Sequence, residues 1–196
     1  MKLVRSSKIY FKKWLTQKKK DIIKDLLQEY SKIVNYFITT YEHFTEKKTE
    51  LLLAKYIQKC IKETGTWLSA RVVKNAFSEG HGMLQSYKSN LKTNPKHKLP
   101  RHTGKKAIFS ETINTQIDNV DLIDFDFTVI LGSIGNKLKI HIPLKKHVHF
   151  NKLNKKGIRS KTITLSEDYI QFSFKRETGE LPPPKRRGLL VSQKTA

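Results

Sequence analysis

The spacing of apolar positions changes along the chain, and each change marks a new element. In residues 2–11, "KLVRSSKIYF", β-branched and aromatic residues gather in a short run that reads as a strand. Further on, Ile22, Ile23, Leu26, Leu27, Tyr30, Ile33, Val34, Phe37, Ile38, Tyr41 and Phe44 recur at three- and four-residue steps. That period predicts a long amphipathic helix whose stripe is core and carries no chemistry. "TELLLAKYIQKCIKET" is a second helix, stopped by Gly65. "WLSARVVKNAFSEGHGMLQSYKSNL" is a third, with Val72, Val73, Ala76, Phe77, Met83, Leu84 and Tyr87 on one face. Gly80 and Gly82 predict a break or kink there, because each glycine costs about 1 kcal/mol against alanine inside a helix. Residues 17–91 therefore read as a small helical bundle.

"KTNPKHKLPRHTGKK" has no apolar period and reads as a loop. From Ile108 to about Lys175 the pattern is β, in the segments "DFTVIL", "NKLKIHIP", "KHVHF", "RSKTITLS" and "DYIQFSFKR". Successive short strands with no helix between them predict an antiparallel sheet or small barrel. The first strand is expected to join that sheet, since it cannot stand alone. The expected fold is α+β: a small antiparallel β-barrel, wedge-like or OB-like, interrupted by a helical bundle. The barrel would take residues 1–16 and 105–185, the helices 17–104, and a C-terminal stub 186–196. "LPPPKRRG" reads as a stiff crossing into that stub.

Charge adds a partner to this picture. The chain carries 39 Lys and Arg against 17 Asp and Glu, a net charge of +22, and that self-repulsion calls for a polyanion. Ten Phe, seven Tyr and two Trp argue for a folded chain in spite of it. One cysteine, Cys60, excludes an internal disulfide or a Cys-rich zinc site and reads as a buried small hydrophobe. No apolar run is long enough to span a membrane, and the basic N-terminus lacks the apolar centre of a signal peptide. No membrane partner and a cytoplasmic location are expected.

The cations fall into three windows free of acids. Residues 1–20 hold Lys2, Arg5, Lys8, Lys12 and Lys13 beside Tyr10, Phe11 and Trp14. Residues 85–108 hold Lys88, Lys92, Lys98, Arg101, Lys105 and Lys106 with Tyr87 and His102. Residues 135–161 hold Lys145, Lys146, Lys152, Lys155, Lys156, Arg159 and Lys161 with His147 and Phe150. Arg71 and Lys74 on the third helix, and Lys185, Arg186 and Arg187 in the crossing, complete the candidate contacts. Cations of this kind neutralise phosphates without reading sequence, while Tyr, Phe and Trp stack on bases or riboses.

Other chemistry is less well supported. His147 and His149 lie two apart on an expected strand, with His141 before them, but no cysteine or matched carboxylate joins them. Phosphate or 2′-hydroxyl contact is the preferred reading. Asp118, Asp121, Asp124 and Asp126 sit on one short stretch, and not on separate elements that could converge on a magnesium ion, so an acidic inter-strand edge is expected. The chain has no P-loop, nucleophile elbow or HExxH motif. No metal site, no cofactor and no catalytic activity are expected.

The order of the pieces resembles the N-terminal half of the TnpB family, transposon-encoded RNA-guided nucleases related to type V CRISPR effectors. "KLPRHTGKKAIFS" and "ILGSIGNKLKIHIP" look like that family's Pro-Arg-Phe-Lys-type loop and the strand-rich stretch after it. "GIRSKTITLSEDYIQFSFKRE" looks like its Gly-x-x-x-Ser strand and following Tyr-x-x-Phe strand, and "PKRRGLLV" like the lead-in to its nuclease domain. The resemblance covers nearly all of the chain. It implies a β-barrel wedge domain with a helical recognition insert, holding structured guide RNA, target DNA and the RNA–DNA heteroduplex. In the family a RuvC-like domain follows, and its first catalytic acid comes soon after the "GLLV"-like run. Lys194 falls at that place here. The expected role is thus binding of guide RNA or heteroduplex without cutting. The alternatives are a non-catalytic subunit whose RuvC-like half is on another chain, an inhibitor that titrates guide RNA or blocks a full-length relative, and an inert fragment.

Overall fold

The computed structural model of the chain describes residues 2–41, 50–110, 115–122 and 124–177. Phe44, the crossing and the stub, with Lys185, Arg186 and Arg187, lie outside them. The elements run β1 (Lys2–Tyr10), a 3-10 turn (Lys12–Trp14), α1 (Gln17–Thr40), α2 (Glu50–Thr64) and α3 (Ala70–Leu91). Then follow β2 (Lys106–Ser110), β3 (Thr115–Leu122), β4 (Phe125–Leu131), β5 (Ile140–Leu144), α4 (Val148–Lys156), β6 (Ile158–Ser166) and β7 (Tyr169–Glu177).

The class is α+β, and all strand pairs are antiparallel. Hydrogen bonds among the described residues make two sheets, ordered β1-β7-β6-β2 and β3-β4-β5, and no closed barrel. As expected, the first strand joins the late sheet: β1 pairs with β7 from Lys2↔Glu177 to Tyr10↔Tyr169. Pro143 sits in β5, an edge strand, where its missing N–H costs no ladder bond.

The helices pack where their periodicity predicts. Ile23, Leu26, Leu27, Tyr30, Ile33, Val34, Phe37 and Ile38 of α1 are buried. Phe37 meets Phe77 of α3 edge-on at 4.5 Å. Helix α2 ends at Gly65, whose φ of +60° is the left-handed conformation a helix C-terminus favours. No break occurs at Gly80 or Gly82, where a break or kink was expected: α3 is continuous for 22 residues. The physical reason is tertiary. Gly80 is buried against α1, where even an added Cβ would make ordinary contact with the Val34 carbonyl oxygen at 3.4 Å, and the packing of α3 on α1 outweighs the local cost of the glycine.

A second correction concerns "KHVHF". It is not a strand but the start of α4, so His147 and His149 do not share a strand face. His147 is the N-cap: its Nδ1 accepts the backbone N–H of Phe150 at 3.3 Å. Phe150 is the anchor of this short helix. Its ring lies 5.8 Å from Phe127 of β4 and 5.4 and 5.5 Å from Phe172 and Phe174 of β7, joining the two sheets.

One contiguous core runs through both blocks. Tyr30 of α1 faces Phe109 of β2 at 6.1 Å. The α2–α3 connector hooks the β4–β5 loop through a Leu68–Gly135 bridge. Ser69 N–H donates to Ile134 O at 2.9 Å, and its hydroxyl bonds Ser133 O while also capping α3 at Val72 N–H.

Candidate nucleic-acid interface

Three segments bring six cations to one end of the four-stranded sheet. Arg5 comes from β1, Lys152, Lys155 and Lys156 from α4, and Lys175 and Arg176 from β7. The strand pairing sets the first part of this arrangement: Leu3 faces Arg176, Val4 faces Lys175 and Arg5 faces Phe174. The docking of α4 sets the rest. His147 accepts at Nδ1, so its N–H is on Nε2, which donates to the Lys8 carbonyl at 3.0 Å and lies 3.3 Å from the Ser7 hydroxyl. With Phe150 buried behind it, the helix presents Lys152 and, one turn on, Lys156, and it carries Lys155 and Lys156 in its last turn, where the helix dipole favours cations.

Arg5, His149, Lys152, Lys156 and Arg176 wall a cleft of about 310 Å³ with Leu3, Leu153 and Phe174 as apolar lining. Past Lys156, Gly157 and Arg176 lies a wider groove of about 720 Å³, which adds Val4, Lys155, Ile158 and Lys175. Among the described residues no carboxylate lines either one. None of the six cations has an ion-pair partner among the described residues. Val4 and Ile158 are 59% and 80% exposed and flank Lys175 in the sheet.

The outer face of the same sheet is also open. Val4, Ser6, Lys8 and Tyr10 lie in register beside Lys175, Ser173, Gln171 and Tyr169. Lys8 Nζ sits 4.7 Å over the Tyr169 ring, and Tyr10 meets that ring edge-on at 5.5 Å while remaining exposed. Trp14 is half exposed against Phe125. Lys12 differs from its neighbours: Asp168 accepts from its ammonium at 2.7 Å and raises its pKa above the usual lysine value, so its charge is matched locally.

The remaining candidates are spread over the surface. Arg71 and Lys74 are exposed on α3, and Lys13, Lys92, Lys98, Arg101, Lys105, Lys106, Lys145 and Lys161 are exposed elsewhere. Tyr87 and Lys88 are half-buried, Tyr87 tilted on His97 at 5.9 Å. Lys146 reaches over Phe127 and Arg159 over Phe172. The Lys2 side chain lies outside the described ones.

His102 is a correction, because it is turned inward and not toward a ligand. Its ring is buried beside Tyr30, with Nε2 3.5 Å from Glu79 and Nδ1 accepting the Gly104 N–H. Its backbone is held by Asn35 and Ser31 of α1. Tyr30 donates to Glu79 at 2.8 Å, and burial together with that carboxylate raises the phenol well above its ordinary pKa. The residues pin the basic loop to the helices.

Of the acidic cluster, Asp126 accepts the Lys146 backbone N–H at 2.6 Å, whereas the Asp118 and Asp121 side chains lie outside the described ones. Among the described residues no three His, Cys, Asp or Glu side chains gather as a metal site would require. No helix among them is long and apolar enough to cross a membrane.

Sequence reasoning missed Lys175, Arg176 and the apolar residues between the cations. The available signal was the β1–β7 pairing, which places residues 175 and 176 against residues 3 and 4. No protein-family model matches the chain, and no curated protein matches it.

Proposed function

We propose that this protein binds RNA through the cleft and groove formed by β1, α4 and β7. The observation that carries the reading is the gathering of Arg5, Lys152, Lys155, Lys156, Lys175 and Arg176 around two adjoining cavities, which share Lys156, Gly157 and Arg176 and which no carboxylate lines among the described residues. Such a surface neutralises phosphates without reading base sequence. The exposed Tyr10 beside Tyr169 and Lys8 supplies rings on which bases can stack. In this reading the two sheets form a barrel-like wedge domain, residues 1–16 and 105–185, and the helices at 17–104 a recognition insert, as the TnpB resemblance implies. Structured guide-type RNA is the proposed partner, with the RNA–DNA heteroduplex as its extension, and binding without cleavage the proposed activity.

Titrating salt against fluorescently labelled RNA tests it. Six phosphate contacts on a single strand give a slope of about −4 in log affinity against log salt, or roughly 300-fold weaker binding between about 50 and 200 mM salt. Arg5→Glu, Lys152→Glu and Arg176→Glu together should remove most of the affinity and flatten the slope. A flat response in the unaltered protein would sink the proposal. Sequencing the nucleic acid that co-purifies with the chain identifies the RNA.

A further inference from the structure

We infer that the inner cleft seats a terminal phosphomonoester of the bound RNA, and the groove beyond it the nucleotides that follow. The inference rests on the RNA-binding reading and names which part of the RNA this site takes.

The argument begins with the spacing of the cations. Arg5 faces Phe174 across the β1–β7 ladder, so Arg176, two residues on, is its diagonal neighbour on the same sheet face. Diagonal neighbours stand about 7–8 Å apart at the backbone, a gap that two guanidinium groups can close around one phosphate. On the opposite wall Lys152 and Lys156 are one helical turn apart, about 5–6 Å between Cβ atoms. Two facing pairs of cations thus border one volume of about 310 Å³. An internal diester carries one negative charge, whereas a terminal monoester carries about −1.5 to −2 at neutral pH and matches the two pairs better.

The surroundings agree. His149 adds a ring nitrogen to the same wall, its ring stacked parallel to His147 at 6.2 Å. Leu3, Leu153 and Phe174 give an apolar lining on which a terminal ribose can rest. Gly157 stands at the passage into the groove and lines both cavities. A Cβ there would lie 3.0 Å from the Lys175 carbonyl oxygen, so a larger residue at this corner would press on the β7 backbone. The groove continues with Lys155 and Lys175 for further phosphates, and with the exposed Val4 and Ile158 for riboses or base edges.

The test compares one short single-stranded RNA in three forms, with a 5′-phosphate, with a 3′-phosphate, and with hydroxyls at both ends, each by anisotropy at low salt. One phosphorylated form should bind roughly tenfold tighter than the hydroxyl form, and which form does so identifies the end that is held. Lys152→Gln with Arg176→Gln should erase that preference while leaving a weaker, end-independent affinity. Lys24→Gln, at an exposed position of α1, is the control and should retain the preference. Equal affinity for all three RNAs would overturn the inference and leave RNA binding standing. No binding of any of the three would overturn both.

Discussion

Replacing Gly135 by alanine probes the joint between the helices and the β4–β5 loop. Gly135 has a φ of +133°, a conformation that residues with a side chain avoid, and an added Cβ would lie 2.1 Å from the Trp67 carbonyl oxygen. The conformation alone costs about 1–3 kcal/mol for a non-glycine residue. The overlap is with backbone and cannot be relieved by a side-chain rotation, so the loop must withdraw from the connector. Withdrawal loses the Ser69 N–H bond to Ile134 and the Ser69 hydroxyl bond to Ser133, at about 1 kcal/mol each. Gly135→Ala should therefore cost about 3–5 kcal/mol, a large share of the ~5–15 kcal/mol that holds a domain of this kind together. Gly132, three residues earlier, is the internal control. An added Cβ there meets nothing within 4 Å, and Gly132→Ala should change stability by less than about 0.5 kcal/mol. Urea unfolding followed by circular dichroism gives both values, and the fluorescence of Trp67, beside the joint, reports local release. A Gly135→Ala cost below about 1 kcal/mol, or equal costs at the two glycines, would refute the reasoning.

Three further substitutions follow from the packing. Gly80→Ala should stabilise the protein by up to about 1 kcal/mol, because the new methyl fits at 3.4–3.5 Å and helix propensity improves; Gly80→Leu should cost more than about 2 kcal/mol by forcing α1 and α3 apart, and chemical denaturation distinguishes the signs. Phe150→Ala should cost about 3–5 kcal/mol and weaken RNA binding even under conditions where the protein stays folded, since α4 loses the contact that positions Lys152 and Lys156; unchanged affinity would contradict the role given to this helix. Burial pushes the Cys60 thiol from 9.0 up to about 11, so the unfolded chain gives up this proton at lower pH than the folded one. Stability should consequently fall by about 2–3 kcal/mol as pH rises from about 9 to 11, and Cys60→Ala should remove that part of the decline in urea midpoints.

The long helices were legible because burial and period coincide: every residue of α1 that is buried falls on the stripe its spacing marks. The return of β1 to the late sheet followed from the need of a lone strand for partners. Helix α4 was not legible. Its nine residues contain one buried side chain, Phe150, while Val148 is 84% exposed, so no period exists to be read and the apolar residues at 148 and 150 mimic a strand. What makes it a helix is the cap from His147 and the pocket waiting for one phenyl ring. Gly80 shows the same limit from the other side, since its local cost is outweighed by a neighbour distant in sequence. In the candidate interface, counting charges located the basic windows but not the direction of each side chain. His102 counts as basic and points into the core, whereas Arg176 adjoins an acidic residue in sequence and lies in the cleft.

The hook between Leu68 and Gly135 also limits how such a protein can be altered. An insert exchanged for another helical segment would leave Phe109 without Tyr30, and residues 133–135 without the connector they grip. The helices are therefore no interchangeable cartridge: they are a third wall of the β body. Substitutions should cost least stability at the exposed positions of α2 and along residues 92–98, while the seam itself must change on both sides at once.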